Sequence, residues 1–438
     1  MGKFWLISVN MGYGHQRTAF ALANFAIGKK PINANDYPGS PETDRRIWLS
    51  SQHFYETISN IYRFPLVGKL IFKGFDQFQK ILSFYPKRDL SKPNFTLKQI
   101  YSLLKRGWGR HLIEKCKKEN PTLPLVTTFF TPAFMAEYFG WPEDIFCVIC
   151  DADIARTWAP LNPQKSKIKY FAPTERVVER LKLYGVNPKN IFLTGYPLPI
   201  ENIGTEEMEI LKEDLKYRLL NLDPQKKYFK KYKVLIEGTL GKLPSKTDHP
   251  FTILFSVGGA GAQREIGIKI AKVLSPKIKK GEVNLILSAG IREKVKNYFE
   301  KHLQKLNLLS KKKTGYHYNG SIEILYEKNI EDYFRKFNKA LRKTDILWTK
   351  PSELSFYSAL GIPIIISPPI GSQEEFNMRW LLKSGFGNYQ ENLNHIDQWL
   401  FDWLNDGYLA EMAMEAFIEG KKLGVFNINK IIKKCSGF

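Results

Sequence analysis

Thr349–Asn377, TKPSELSFYSALGIPIIISPPIGSQEEFN, reads as a helix, a buried strand over Ile362–Ser367 and a loop closing on Gln373-Glu374-x-x-Asn377. A short continuous apolar run bounded by glycine and proline is the pattern of a strand covered on both faces. A carboxylate and two amides placed just after such a strand are poor core material. Together they supply donors and acceptors suited to a hydroxyl-rich ligand. In open α/β sheets, ligands gather outside the carboxyl ends of the strands. The stretch therefore predicts a parallel sheet with a binding site at its strand ends.

The same pattern recurs outward from this stretch. In the first half, residues 4–9, 125–129, 145–150, 169–172 and 191–194 read as strands, with helices from about Thr18 to Ile27 and over Glu175–Tyr184. In the second half, residues 251–257, 283–288, 322–326 and 345–349 read as strands, with helices over 205–221 and 264–274. Strands alternating with helices predict parallel sheets joined by helical crossovers. At 438 residues the chain is too long for one ordinary core. The expected fold is α/β: two Rossmann-like domains facing a cleft, over 1–200 and 201–410. A helical segment, 411–438, is expected to pack back on the first domain. Lys226–Lys246 reads as a lysine-heavy surface insertion.

The formal charge is +23, and the isoelectric point is near 9.6. Such a balance favours anionic surfaces. Between Arg63 and Lys118 there are 14 Lys and Arg against three acids. Phe72, Phe75, Phe78, Ile81 and Leu82 recur there at helical spacing, with Lys69, Lys73 and Lys80 between them. A basic amphipathic helix lies in a bilayer interface with its lysines near lipid phosphates. Region 45–118 is therefore expected to meet an anionic membrane surface. No nucleic-acid-binding module is recognisable, so nucleic acid is not an expected partner. No apolar run reaches the roughly 18 residues that suggest a membrane span, and the N-terminus opens on a strand rather than a signal peptide. The expectation is a cytoplasmic protein, peripheral on the inner face of the membrane. Cys147 and Cys150 form a CxxC inside an apolar strand, where residues three apart face opposite sides; they read as buried thiols.

Four segments carry chemistry. Ser256-Val-Gly-Gly-Ala-Gly-Ala-Gln263 runs from a strand through Gly258, Gly259, Ala260 and Gly261 into a helix, where bare amides and the helix dipole suit a phosphate. Arg264 could add a charge-assisted contact. Met11–His15, MGYGH, follows the first strand in the same way: Gly12 and Gly14 let a ligand approach, and His15 could act as a base or bond a phosphate. Asp151 ends the strand FCVIC and could accept a proton; Asp153 completes a DxD that reads as a helix cap rather than a metal site. Gln373, Glu374 and Asn377 complete the set.

The ordered combination resembles the family 28 glycosyltransferases, in particular the monogalactosyldiacylglycerol synthases, and more distantly the N-acetylglucosaminyltransferase that forms lipid II. The matching segments are Gly12-Tyr-Gly-His15, CDADIARTW, APTERVVERLKLYGVNPKNIFLTGYPLP, GGAGAQ, Thr349-Lys350, Gly361-Ile-Pro-Ile-Ile365 and Gln373-Glu374-x-x-Asn377. They cover about half the chain. The resemblance implies a UDP-sugar held by the C-terminal domain, through Gly258, Gly259, Ala260, Gly261, Arg264, Glu353, Gln373, Glu374 and Asn377. It implies an acceptor on the N-terminal domain, beside Gly12, Gly14, Arg156 and Trp158, and inversion at the anomeric carbon without a bound metal or other cofactor. Two positions depart from the family. Its ribose-binding Glu falls on Phe356, with Glu353 one turn earlier, and its His after Thr-Asp falls on Arg156. Asp151 or His15 would take the proton of the attacking hydroxyl, and Asp151 is favoured for its strand-end position. The expected activity is transfer of a sugar from a UDP-sugar to a lipid or lipid-linked acceptor. The competing readings are a UDP-N-acetylglucosamine 2-epimerase-like enzyme and a non-catalytic nucleotide-sugar-binding subunit.

Overall fold

Each buried strand run of the sequence becomes a strand of one of two parallel sheets. The computed structural model describes residues 4–50, 81–258, 261–312, 315–318 and 321–436. The chain divides into two units. The first comprises Met1–Leu198, Ile370–Asn377 and Leu423–Phe438; the second comprises Pro199–Pro369 and Met378–Lys422. Gly259, Ala260 and the Lys69–Lys80 stretch with Phe72, Phe75 and Phe78 lie outside the described residues.

In the first unit the strands are β1 (Trp5–Ser8), β2 (Ile32–Asn33), β3 (Leu125–Thr127), β4 (Ile145–Val148), β5 (Lys169–Ala172) and β6 (Ile191–Leu193). They are all parallel, in the order β2-β1-β3-β4-β5-β6. Every residue of β1, β3 and β4 is buried, as expected where helices cover both faces of a sheet. The core on one side joins Trp5, Ile7, Leu112, Phe134 and Ile145 with Trp158 and Tyr170. The chain's last helix, Gly424–Ser436, lies on this unit. Its Asn427 Nδ2 donates to the Thr194 carbonyl (2.9 Å), and any side chain at Gly424 would strike the Tyr196 carbonyl.

The second unit holds β7 (Phe251–Ser256), β8 (Val283–Gly290), the antiparallel pair β9 (Leu309–Lys312) and β10 (Gly315–Tyr318), then β11 (Ile322–Tyr326), β12 (Ile346–Thr349), β13 (Ile364–Ile366) and β14 (Gly387–Tyr389). Its main sheet runs β11-β8-β7-β12-β13-β14, all parallel. That is the strand order of a dinucleotide-binding sheet, 3-2-1-4-5-6. The expectation of two Rossmann-like α/β sheets holds. Helices Glu209–Leu222 and Tyr408–Glu419 both belong to this unit.

Three details differ from the sequence expectation. The first helix runs Tyr13–Leu22 rather than Thr18–Ile27, because Gly12 (φ 114°) turns the chain directly into it. The segment before β13 is a 3-10 helix, Glu353–Leu360. The lysine-heavy stretch, expected only as a surface insertion, contains a helix, Lys227–Leu240, anchored by buried Ile236 and Leu240.

Candidate functional site

Chain order fixes where each sheet can hold a ligand. In the first unit the chain leaves β1 toward β2 on one side and later resumes with β3 on the other. The connections diverge there, leaving a crevice beyond the carboxyl ends of β1 and β3. His15, in the first turn of helix Tyr13–Leu22, sits at that point. Its Nδ1 is 2.8 Å from the carbonyl of Thr128, the residue after β3. A carbonyl can only accept, so Nδ1 carries the proton and Nε2 keeps the lone pair. Phe129 meets the imidazole edge-on at 4.7 Å, and Trp158 lies 6.2 Å away. This surrounding desolvates the ring and pushes its pKa from 6.5 down to about 4, against the opposing pull of the Thr128 carbonyl. The imidazole is neutral at physiological pH.

The second group arrives from β4. Cys150 is buried, and its Sγ lies 3.3 Å from His15 Nδ1, which brings the Cys150-Asp151 turn to the imidazole. Asp151 is half-buried, and its Oδ1 accepts a hydrogen bond from Asn377 Nδ2 (3.3 Å). Asn377 is itself buried, and its Oδ1 accepts from the Ala152 N–H at 2.8 Å. The sequence reading made Asn377 a sugar contact of the C-terminal domain. Here its amide is engaged on both sides by the Asp151 turn, and residues 370–377 cluster with the first unit. Glu374 bonds locally too, one carboxylate oxygen accepting from the Ile370 N–H (2.8 Å); Gln373 occupies the first turn of helix Ser372–Ser384.

One expected acceptor residue, Arg156, is corrected. Arg156 is buried, and its guanidinium donates to the carbonyls of Ser91 (2.9 and 2.6 Å), Ala159 (2.6 Å) and Pro160 (3.1 Å). With its donors directed at main-chain carbonyls it is a structural cross-link, not a cleft residue. Trp158 is also buried, packed on Phe129 and Phe130 at 5.9 and 5.3 Å, so it walls the His15 pocket from inside. Asp153 does not cap a helix. It forms a buried bidentate pair with Arg180 (2.8 Å each), and Thr174 caps helix Glu175–Leu183 instead. Of the two glycines before His15, Gly12 is exposed, with open space where a Cβ would stand, and Gly14 accepts from the Thr18 hydroxyl (2.8 Å).

The second unit has its own crevice between β7 and β12, where chain order reverses again. Beyond β7, Gly258 begins the glycine turn; beyond β12 comes Lys350. A Cβ built on Gly258 would run into Lys350 Cε and lie 3.0 Å from Nζ. The missing Cβ leaves the space beside this turn that the end of the Lys350 side chain occupies. In the sequence Lys350 stands out only within Thr349-Lys350; its legible signal is its place directly after a buried strand. Gly261 (φ 70°) donates its N–H to the Gly258 carbonyl at 2.7 Å, so this amide is spent inside the turn instead of facing a phosphate. Gln263 takes a left-handed conformation (φ 64°), worth roughly 1 kcal/mol of strain or more. Its side chain is tied to the Pro368 carbonyl (2.7 Å). Arg264 opens helix Arg264–Val273 with its guanidinium 4.2 Å from the Tyr298 ring. Glu353 is buried at the start of its 3-10 helix, and Phe356 packs on Trp380 at 5.0 Å, filling the position of the family's ribose-binding Glu with core. Among the described residues, no group of three or more His, Cys, Asp or Glu side chains is placed to hold a metal.

Residues 244–433 match a family described as a domain of unknown function, DUF6938. The chain is similar to the processive diacylglycerol beta-glucosyltransferase of Bacillus licheniformis, 23% identical over 366 residues, covering 79% of each chain. It is also similar to the protein of that name from Bacillus subtilis, 22% identical over 406 residues, covering 89% of this chain and 88% of the relative. Among solved structures, Staphylococcus aureus MnaA with UDP is similar with a TM-score of 0.49 and 14% identity, covering 99% of this chain and 96% of that one. The resemblance to lipid glycosyltransferases read from the motifs agrees with the two Bacillus relatives.

Proposed function

We propose that this protein is an inverting glycosyltransferase that moves a sugar from a UDP-sugar to a lipid or lipid-linked acceptor at the cytoplasmic membrane face. Similarity to diacylglycerol glucosyltransferases over 79–89% of the chain carries this reading. The two strand-end crevices give it chemistry.

The acceptor hydroxyl attacks the anomeric carbon as the bond from that carbon to the UDP oxygen breaks. Asp151 takes the hydroxyl proton; Asn377 holds its carboxylate in place. His15, neutral with Nε2 unprotonated, accepts a hydrogen bond from the substrate and keeps it in register. The departing UDP carries the electron pair as negative charge on its phosphate. The Gly258 turn, the Lys350 ammonium and Arg264 offset that charge. Glu353, Gln373 and Glu374 remain proposed contacts to the donor's hydroxyls.

Membrane association is supported by the described part of region 45–118. Tyr85 and Phe95 are 69% and 62% exposed, and Lys87, Arg88 and Lys98 are exposed close by in the sequence. Among the described residues no helix is long and apolar enough to cross a membrane, so the proposed attachment is peripheral. A panel of labelled UDP-sugars incubated with a membrane lipid extract tests the assignment. The expected result is label in the lipid fraction with inverted anomeric configuration and release of UDP. Label confined to free sugar nucleotide, or an epimerised UDP-sugar without lipid product, contradicts it.

A further inference from the structure

Helix Lys227–Leu240 divides sharply into two faces. Ile236 and Leu240 are buried, and Tyr228, Phe229 and Tyr232 are half-buried. Lys227, Lys230, Lys231, Val234 and Leu235 are all exposed, the lysines before and the aliphatic pair after a kink at Tyr232 (φ −118°, ψ 22°). Val234 is 88% exposed and Leu235 48%. Lys226, Lys233, Lys242 and Lys246 are exposed as well. Opposing charge comes from Asp406, paired with Lys227 at 2.7 Å, from Glu411, which acts on Lys231, and from half-buried Glu237, the one acid between Lys226 and Lys246.

Beneath the helix lies a cavity of about 240 Å³. Leu219, Ile236, Leu243 and Phe229 supply apolar lining, and Lys226, Lys233 and Lys242 border it together with Asp223 and Glu237. An apolar lining joined by lysines suits an amphiphile with an anionic head.

We propose that this helix and the turn after it form a docking surface for an anionic phospholipid bilayer on the second unit, in addition to region 45–118. Lysines alone would serve any polyanion. Two adjacent aliphatic side chains turned to solvent among these lysines gain free energy only where there is hydrocarbon to enter. A nucleic acid offers phosphates without that gain. The lysines reach the headgroup phosphates while Val234 and Leu235 enter the acyl boundary. Docking here does not depend on sugar transfer, and it is measured without a nucleotide sugar, so either proposal can fail alone.

The test is co-sedimentation of the full chain with phosphatidylglycerol–phosphatidylcholine vesicles and with pure phosphatidylcholine vesicles. Because a lysine near an anionic surface contributes on the order of a five-fold factor, replacing Lys226, Lys230, Lys231 and Lys233 with Gln should weaken binding to the anionic vesicles at least ten-fold. High salt should erase that difference. Val234→Asp with Leu235→Asp should weaken binding several-fold at both low and high salt. All six positions are exposed, so the variants should keep the parent's melting temperature. Parent-like binding by both variants overturns the proposal. So does a lysine variant that loses binding to duplex RNA while keeping its vesicle binding.

Discussion

At the scale of single residues, the proposed chemistry rests on His15 and on Asp151, whose neighbour Cys150 lies 3.3 Å from the His15 ring. His15 titrates far below a free imidazole because Phe129 and Trp158 desolvate it. Its proton is therefore bound more tightly in the unfolded chain than in the fold. Stability is unaffected above pH 6.5 and falls as the pH drops from 6.5 toward 4, where the unfolded state takes up the proton first. Melting temperatures followed across that window should fall more steeply for the parent than for His15→Gln; identical slopes would mean the ring is solvated. Asp151→Asn should lower kcat by about 100-fold or more with KM little changed, the usual loss when a proton acceptor is removed. Full activity in that variant removes Asp151 as the base. Arg156 belongs to a different class. Replacing it with Ala leaves buried carbonyls at Ser91 and Ala159 unpaired, at a cost of about 1–3 kcal/mol each. Urea unfolding should register that loss, while kcat of the folded fraction stays near the parent value. Its role was not legible in the sequence, because its partner Ser91 lies 65 positions away and nothing local directs the side chain inward.

At the scale of elements, strands were legible wherever both faces are covered. Runs such as Ile145–Val148 and Ile364–Ile366 admit no other reading once helices flank them. The short outer strands β2 and β14 were not. Ile32–Asn33 and Gly387–Tyr389 are two and three residues long, every position but Gly387 half-buried or exposed, and pairing on one side alone defines them. Helix Lys227–Leu240 was missed because lysine dominates its composition, although its apolar positions Phe229, Ile236 and Leu240 keep helical spacing. The glycine-rich turn after β7 is legible in the sequence, but the cation beside Gly258 is not, since Lys350 arrives from β12. Gly258→Ala tests this element. The added methyl displaces the flexible end of the Lys350 side chain, so UDP should bind a few-fold more weakly while the melting temperature changes little. Unchanged affinity would show that the lysine is not positioned by the glycine.

At the scale of the whole molecule, the charge of +23 is spread over both units, through the described part of region 45–118 in one and through Lys226–Lys246 in the other. Attachment to anionic vesicles should weaken steeply with ionic strength, and binding that ignores salt would contradict a mainly electrostatic contact. The α/β architecture was legible from strand alternation and length. The direction of individual site side chains was not, because each is fixed by a partner from a distant strand. The central claim is that the second unit grips a nucleoside diphosphate between the Gly258 turn and the Lys350 ammonium. Calorimetric titration of UDP into the full-length protein tests it most directly. The account predicts saturable binding that weakens on the order of ten-fold in Lys350→Met, from loss of one charge-assisted phosphate contact. No heat of binding in the parent, or equal affinity in both proteins, would contradict it.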